Sequence, residues 1–409
     1  MKATTIFDNL SEQYIYMERY VNEGSPSGFT QIHTTSYDTN PFTGKDTFKL
    51  LQFKDDDCET IIVGKRNEIL CSNMNYAHPD SLKSTILKES GRKLEKSQLI
   101  VSPTASGRTM LIRNSGIKGF LKLTYDTSKI GRCRRDISTI SANASLETSK
   151  VIKDSIDNGN LPKCFAILPE ETMRISKLYS SEGVFEWGSI FRSFEAYPKS
   201  LGKVQIIPAF SLFSKDTRCP DDDYLINQFI ELSNQNPEEY LWKIIKMTLD
   251  AFWGLMLNCG LRAEMHSQNC MYEINTDYTI SRIILKDMED VDRDLILQKF
   301  VGFNHKWNTY PYKCYDANSK EFEYRASYMY DFKLGEYLIT PIIQRVVNKY
   351  ELDSKKIEQR IQKYVSSKYL PLLPKDYFPK NNQWYYCKNE EVLPGENRKF
   401  YSKEHPKYR

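Results

Sequence analysis

The stretch GLRAEMHSQN, residues 260–269, decides how this chain is read, together with Lys286-Asp287 downstream. A glutamate, a histidine, a glutamine and an asparagine stand within six residues of one another. Ahead of them lies a long apolar run, AFWGLMLNC, and behind them lie two strand-like pieces, CMYEI and SRIILKD. An Asn and an Asp at the two ends of such a hairpin bring two hard oxygen donors toward one point. Mg²⁺ favours such donors, one or two from protein and the rest from phosphate or water. Protein kinases hold Mg-nucleotide with an Asn and an Asp placed in this way. Asn269 and Asp287 therefore read either as a metal or nucleotide site or as parts of a hydrogen-bonded polar turn.

Working outward, Asn236-Pro237-Glu238-Glu239 supplies an N-cap, a first-turn proline and first-turn carboxylates. It predicts a helix from about 237 to 258 that stops at Gly260. Upstream, SPTASGRT (102–109) collects hydroxyls, a glycine and an arginine between two expected strands, QLIVS and KGFLKLTYD. Hydroxyls, backbone N–H groups and a guanidinium suit phosphate or carboxylate oxygens. No Walker A pattern is present, so a Ser/Thr-rich turn is the other reading. Lys122 follows on a strand, and Arg132, Arg134 and Arg135 crowd the next loop. They form either an anion-reading cluster or a solvated charge run. Arg192 lies inside the apolar strand GSIFRSF, and His78 opens a His-Pro turn. Residues 139–158 suit a helix, whereas CFAILPE, VFEWGSIFRSF and KVQIIPAFSLF read as consecutive strands of one sheet. Asp55-Asp56-Asp57 and Asp221-Asp222-Asp223 read as solvated loops, and Cys270 as packing.

The composition agrees with a large globular protein. The chain has 409 residues, 57 Lys+Arg against 53 Asp+Glu, and 40% hydrophobic residues. A net charge of +4 without a basic stripe excludes a nucleic-acid partner. The longest nearly apolar stretch, 251–261, is too short to span a membrane, which takes about 20 apolar residues. Nine scattered cysteines without a CxxC pair argue against a disulfide framework or a zinc ribbon. These features predict a cytoplasmic protein in three parts. Residues 1–150 are a mixed α/β part with the Ser/Thr-rich and arginine loops, 151–220 a central sheet segment, and 221–409 a largely helical C-terminal lobe.

In order along the chain, SPTASGRT, Lys122-Leu123 leading to Arg135-Asp136-Ile137-Ser138, Arg192, GLRAEMHSQN and Lys286-Asp287 resemble the NRPS-independent siderophore (NIS) synthetases of the aerobactin-synthetase type. SYMYDFKLGEY (327–337) is similar to a pattern that follows in some members. The resemblance covers roughly residues 76–345. It implies an α+β, multi-lobed fold shaped as a cupped hand, a possible homodimer, and ATP and Mg²⁺ as cofactors. It implies a ligase that adenylates a citrate-like or other carboxylate and passes the acyl group to an amine or alcohol. It assigns catalytic work to Arg108, Lys122, Arg135 and His266, and nucleotide binding to Ser102, Thr104, Ser106, Thr109, Lys122 and Gln268. It assigns the carboxylate to His78, Arg108, Arg134, Arg135 and Arg192, and the metal to Glu264, Asn269 and Asp287. The alternatives are a member of this family that serves as a binding or scaffold protein, and a kinase-like phosphotransferase. The second lacks an HRD-like base and a glycine-rich loop.

Overall fold

The computed structural model describes residues 1–23, 37–56, 58–62, 69–70, 72–114, 116–130, 133–181, 183–308, 314–315, 322–380, 382–387 and 400–409. The fold is α+β, as expected. Helix α1 (Leu10–Tyr20) is capped by Asn9, whose side chain accepts the Glu12 N–H. It precedes strands β1 (Phe48–Lys54), β2 (Glu59–Ile62) and β3 (Met74–Ala77). After the short helix α2 (Thr85–Glu89) come β4 (Glu95–Pro103), β5 (Thr109–Ile112), β6 (Gly119–Leu123), β7 (Tyr125–Ile130) and β8 (Cys133–Arg135). Helix α3 (Thr139–Asp157) is closed at its start by a Ser138/Ser141 capping box. Strands β9 (Phe165–Ile167), β10 (Glu170–Ser180), β11 (Gly183–Ser193) and β12 (Val204–Pro208) follow. Helices α4 (Leu225–Ser233) and α5 (Pro237–Cys259) lead to β13 (Leu261–Ala263), β14 (Cys270–Asn275), β15 (Ile280–Leu285) and β16 (Val291–Asp294).

Eight strands form one sheet in the order β2-β10-β11-β6-β5-β4-β1-β3, and β12-β14-β15-β9 form a second. The segment expected as consecutive strands of one sheet is therefore divided. β11 belongs to the large sheet, β9 and β12 belong to the small one, and β10 intervenes. The end of KVQIIPAFSLF turns into a 3₁₀ helix at Ala209–Leu212. β10 has one apolar face, where Met173 and Ile175 pack on Ala142 and Leu146 of α3. Its other face carries Thr172, Arg174 and Ser176, all buried. The Arg174 guanidinium donates to Asp55 O, Thr60 Oγ1 and Leu70 O, and Ser176 Oγ accepts from Asn75. Asp55 is accordingly not a solvated residue; it is buried and pairs with Arg92 at 2.9 Å.

The helix preceding the 260–269 motif behaves as its sequence predicts. Asn236 Oδ1 accepts the N–H groups of Glu238 and Glu239, a cap that contributes about 1 kcal/mol. Its far end stops at Gly260, which has φ 58°; a Cβ there would sit 2.8 Å from Gln298 N. Only glycine satisfies both demands. Trp253 is fully buried in this helix, stacked on Tyr369 at 5.4 Å. The largest buried apolar cluster among the described residues runs from Met1 through Ala105, Ile207 and Trp253 to Tyr408, so it draws on all three expected parts. Further along the chain lie a π-helix, Tyr328–Ile339, and helices Thr340–Tyr350 and Ser354–Lys368. The polar tail pairs strands Gln383–Cys387 and Phe400–Glu404. Among the described residues no helix is long and apolar enough to cross a membrane.

Candidate active site

The β4–β5 connection folds on its own hydroxyls. Thr104 Oγ1 donates to Thr109 O at 2.8 Å, Ser106 Oγ accepts the Thr109 N–H at 3.0 Å, and Gly107 takes φ 73°. A compact turn results, with Thr104, Ser106 and Thr109 on the wall of a cleft of about 390 Å³. Tyr14, Glu18, Phe120, Arg192, Gln268, Asn269, Lys286 and Asp287 line the rest.

The far wall is the β14–β15 hairpin. Cys270 pairs with Leu285 in its register, so Asn269 and Asp287 flank the same end. The Lys286 N–H donates to Asn269 O at 2.9 Å and fixes that end. The 264–269 loop is held from within: His266 Nδ1 accepts the Gln268 N–H, and Asn269 Nδ2 donates to Glu264 O at 3.3 Å. With its nitrogen used there, Asn269 offers Oδ1 as a hard oxygen donor. Asp287 is one of the few non-glycine residues with positive φ, at 70°, a conformation Asp tolerates better than most.

Charge organises the interior. Lys122 in β6 is 2% exposed and pairs with Asp287 at 2.6 Å and Glu289 at 2.8 Å. Burial alone would lower its pKa; the two carboxylates outweigh burial and hold it above the ordinary lysine value. Arg192 in β11 faces Glu170 at 2.5 Å and Asp287 at 3.3 Å. Arg108 comes within 3.8 Å of Glu289, and Lys286 within 3.1 Å of Glu18. Four cations thus meet four carboxylates here among the described residues.

The structure therefore gathers Thr104, Ser106, Thr109, Arg192, Gln268, Asn269 and Asp287 on one cleft, with Arg108 and Lys122 joined to it through Asp287 and Glu289. Other expected site residues stand elsewhere. Ser102 is buried in β4. The Glu264 carboxylate faces Lys333 at 3.3 Å and Arg325 at 3.5 Å, with His266 Nε2 at 3.8 Å. Neither Glu264 nor His266 is among the residues lining the cleft. Arg132 lies outside the described residues, and only the backbone of Arg134 and Arg135 is described, as part of β8. Cys270 is fully buried and its thiol pKa is pushed well up, which suits packing rather than nucleophilic work.

His78 is fully buried away from the cleft. Its Nδ1 accepts the Asp80 N–H at 3.1 Å and caps the turn Pro79–Lys83, and its ring meets Tyr125 edge-on at 4.8 Å. Burial lowers its pKa from 6.5 to about 4. The folded state then binds fewer protons than the unfolded state between those values. The contribution is complete above about pH 6.5 and is lost toward pH 4, a change of about 3 kcal/mol. Asp331, pushed up to about 6 by burial against the pull of Arg409, acts in the opposite sense over part of this range. A comparison with His78→Asn, which keeps the cap and cannot titrate, isolates the histidine. The stability advantage of wild type over this variant is expected to shrink by that amount from neutral pH to pH 4 in urea unfolding. A pH-independent difference would contradict the assignment.

The sequence reading missed Tyr14, Glu18, Glu170 and Glu289. Glu170 ends the piece CFAILPE, and only the β10–β11 register sets it opposite Arg192. Glu289 follows the Lys-Asp pair by two residues and was open to inspection. For Glu18, in an ordinary amphipathic helix near the start of the sequence and remote from these motifs, no local signal exists.

No family model matches the chain, and no curated protein matches it in sequence. Solved structures do match, and the fold they share is that of the NIS siderophore synthetases. One is the petrobactin biosynthesis protein AsbB from Bacillus anthracis strain Sterne. It has a TM-score of 0.70 and 15% identity over 97% of this chain and 75% of that one. ATP-bound aerobactin synthetase IucA from a hypervirulent pathotype of Klebsiella pneumoniae has a TM-score of 0.66 and 11% identity, over 90% of this chain and 70% of its own. Aerobactin synthetase IucC from the same pathotype gives 0.62 and 13%, over 92% and 72%. The fold expected from the ordered motifs is therefore the fold observed.

Proposed function

We propose that the chain is an ATP- and Mg²⁺-dependent ligase of siderophore or related natural-product biosynthesis, which adenylates a carboxylate and transfers the acyl group to an amine or alcohol. The observation that carries this reading is the single cleft on which the hydroxyl turn 104–109, Arg192, Asn269 and Asp287 converge. The shared fold, including that of an ATP-bound synthetase, supports it. In the first half-reaction a carboxylate oxygen attacks the α-phosphorus of ATP and pyrophosphate leaves. In the second the nucleophile attacks the acyl-adenylate carbonyl and AMP leaves.

Both partners in the first step are anions, so the protein must offset their repulsion and hold the attacking oxygen in line. Ser106 and Thr109 offer hydroxyls to phosphate oxygens, and Thr104, whose hydroxyl donates to Thr109 O, would join them only by giving up that bond. Arg192 supplies positive charge on the cleft wall, and Lys122 and Arg108 supply it from behind Asp287 and Glu289. Gln268 orients the loop beside them. His266 would contact phosphate through a shift of the 264–269 loop, and Arg134 and Arg135 would bring further guanidinium groups to the carboxylate.

The donor set fits Mg²⁺. Asn269 Oδ1 and the Asp287 carboxylate are hard oxygens at one end of the hairpin, the one or two protein donors this ion takes beside phosphate. Glu264 would complete the set only by leaving Lys333 and Arg325. Bound there, the ion would neutralise phosphate charge, and Asp287 would exchange Lys122 for it. Products of ATP with a panel of carboxylates and polyamines, read by mass spectrometry, test the proposal. AMP plus an amide or ester is expected; ADP or an acyl phosphate would overturn it.

A further inference from the structure

We infer that Glu18 is a positioning residue of the nucleotide site, tying the hydroxyl turn to the hairpin that carries Asp287; this rests on the proposed function. Glu18 lies on α1 and is 1% exposed, yet it lines the cleft. Its Oε1 accepts from Tyr14 Oη at 2.6 Å and Lys286 Nζ at 3.1 Å, and its Oε2 accepts the Ala105 N–H at 3.1 Å. Tyr14 is itself fully buried and set by edge-on contacts with Phe120 at 5.6 Å and Phe194 at 5.0 Å. The three donors come from three separate pieces of chain: the helix itself, the 104–109 turn, and the residue next to Asp287.

A carboxylate on the wall of a cleft for phosphates repels the ligand, and its burial is costly unless it is fully partnered. Here it is spent on three donors at once. The Ala105 amide, in the turn that presents Thr104 and Ser106, is fixed by this side chain. The Lys286 ammonium is neutralised on the α1 side, which leaves Asp287 to Lys122, Arg192 and an incoming metal ion. Turn and hairpin are thus joined across the cleft by one carboxylate. A displacement of either wall by about 1 Å would cost up to about 100-fold in rate.

The test compares wild type with Glu18→Gln and Tyr14→Phe by hydrogen–deuterium exchange of the 102–109 segment, with and without Mg-ATP, and by pyrophosphate release. In Glu18→Gln the Ala105 amide is expected to exchange about fivefold faster, as for a weakened hydrogen bond. Mg-ATP protection of the segment is expected to fall, and KM for ATP to rise about tenfold, with KM for the carboxylate unchanged. Tyr14→Phe is expected to move KM for ATP in the same direction and less. A merely structural Glu18 would lower the melting temperature and kcat without touching the ATP term, and that pattern overturns the inference. A wild-type protein that turns over, matched by Glu18→Gln in exchange and KM, overturns it alone. A wild-type protein with neither Mg-ATP protection nor pyrophosphate release removes the nucleotide site and the inference with it.

Discussion

Replacing Arg192 by methionine is expected to destabilise the folded protein by about 3–5 kcal/mol, the range for removing one partner of a buried ion pair. Arg192 is 4% exposed and Glu170 is 1% exposed. β11 and β10 hold them opposite each other, and Nε and Nη2 both reach Glu170 Oε1, at 3.1 and 2.5 Å. Ser145 Oγ also donates to Glu170. In the variant Glu170 keeps hydroxyl help and loses its counter-charge in the sheet interior. Asp287 loses one of its cations and keeps Lys122. The loss appears as a lower midpoint in denaturant unfolding at an unchanged slope. The double variant Arg192→Met/Glu170→Gln is expected to recover about half, because the orphaned charge is gone. A single-variant loss below about 1 kcal/mol would show that the pair is not buried as described.

The second large effect concerns Lys122→Met, expected to slow carboxylate-dependent pyrophosphate release by about 10²–10³, as for loss of one preorganised charge in an active site. β6 sets Lys122 opposite Thr109 on one side and Ile190 on the other, so it stands between the hydroxyl turn and β11. Methionine retains the stem and deletes the charge. Asp287 and Glu289 are 22% and 14% exposed in their side chains, so water compensates them better than it could Glu170. The stability loss is therefore smaller than for Arg192, and the kinetic loss larger. Near-normal release by a folded Lys122→Met protein would remove this lysine from the chemistry.

Much of the site was legible in the sequence because its chemistry is local. The hydroxyl turn 104–109 and the 264–269 loop are each one short segment, and the hairpin linking Asn269 to Asp287 follows from two apolar strands and a turn. Helix α5 was legible because Asn236, Pro237 and Gly260 punctuate it. β10 was not, because its inner polar face is buried around Arg174 and so departs from the usual pattern of polar residues facing water. The partition of β9, β11 and β12 between two sheets is set by long-range register, such as β9 pairing in parallel with β15. Glu18, Glu170 and Glu289 show the same limit: each acts on a cation that the fold, and not the sequence, places beside it. His78, which the resemblance assigns to the carboxylate, stands apart from the cleft as a buried cap of the turn Pro79–Lys83.

The central claim is that this cleft activates a carboxylate with ATP. The most direct measurement is isotope exchange between labelled pyrophosphate and ATP in the presence of Mg²⁺ and a di- or tricarboxylic acid, with no amine added. The account predicts exchange that depends on the carboxylate and disappears in Lys122→Met. Exchange without a carboxylate, or ATP consumed to ADP and phosphate with no exchange, would contradict it.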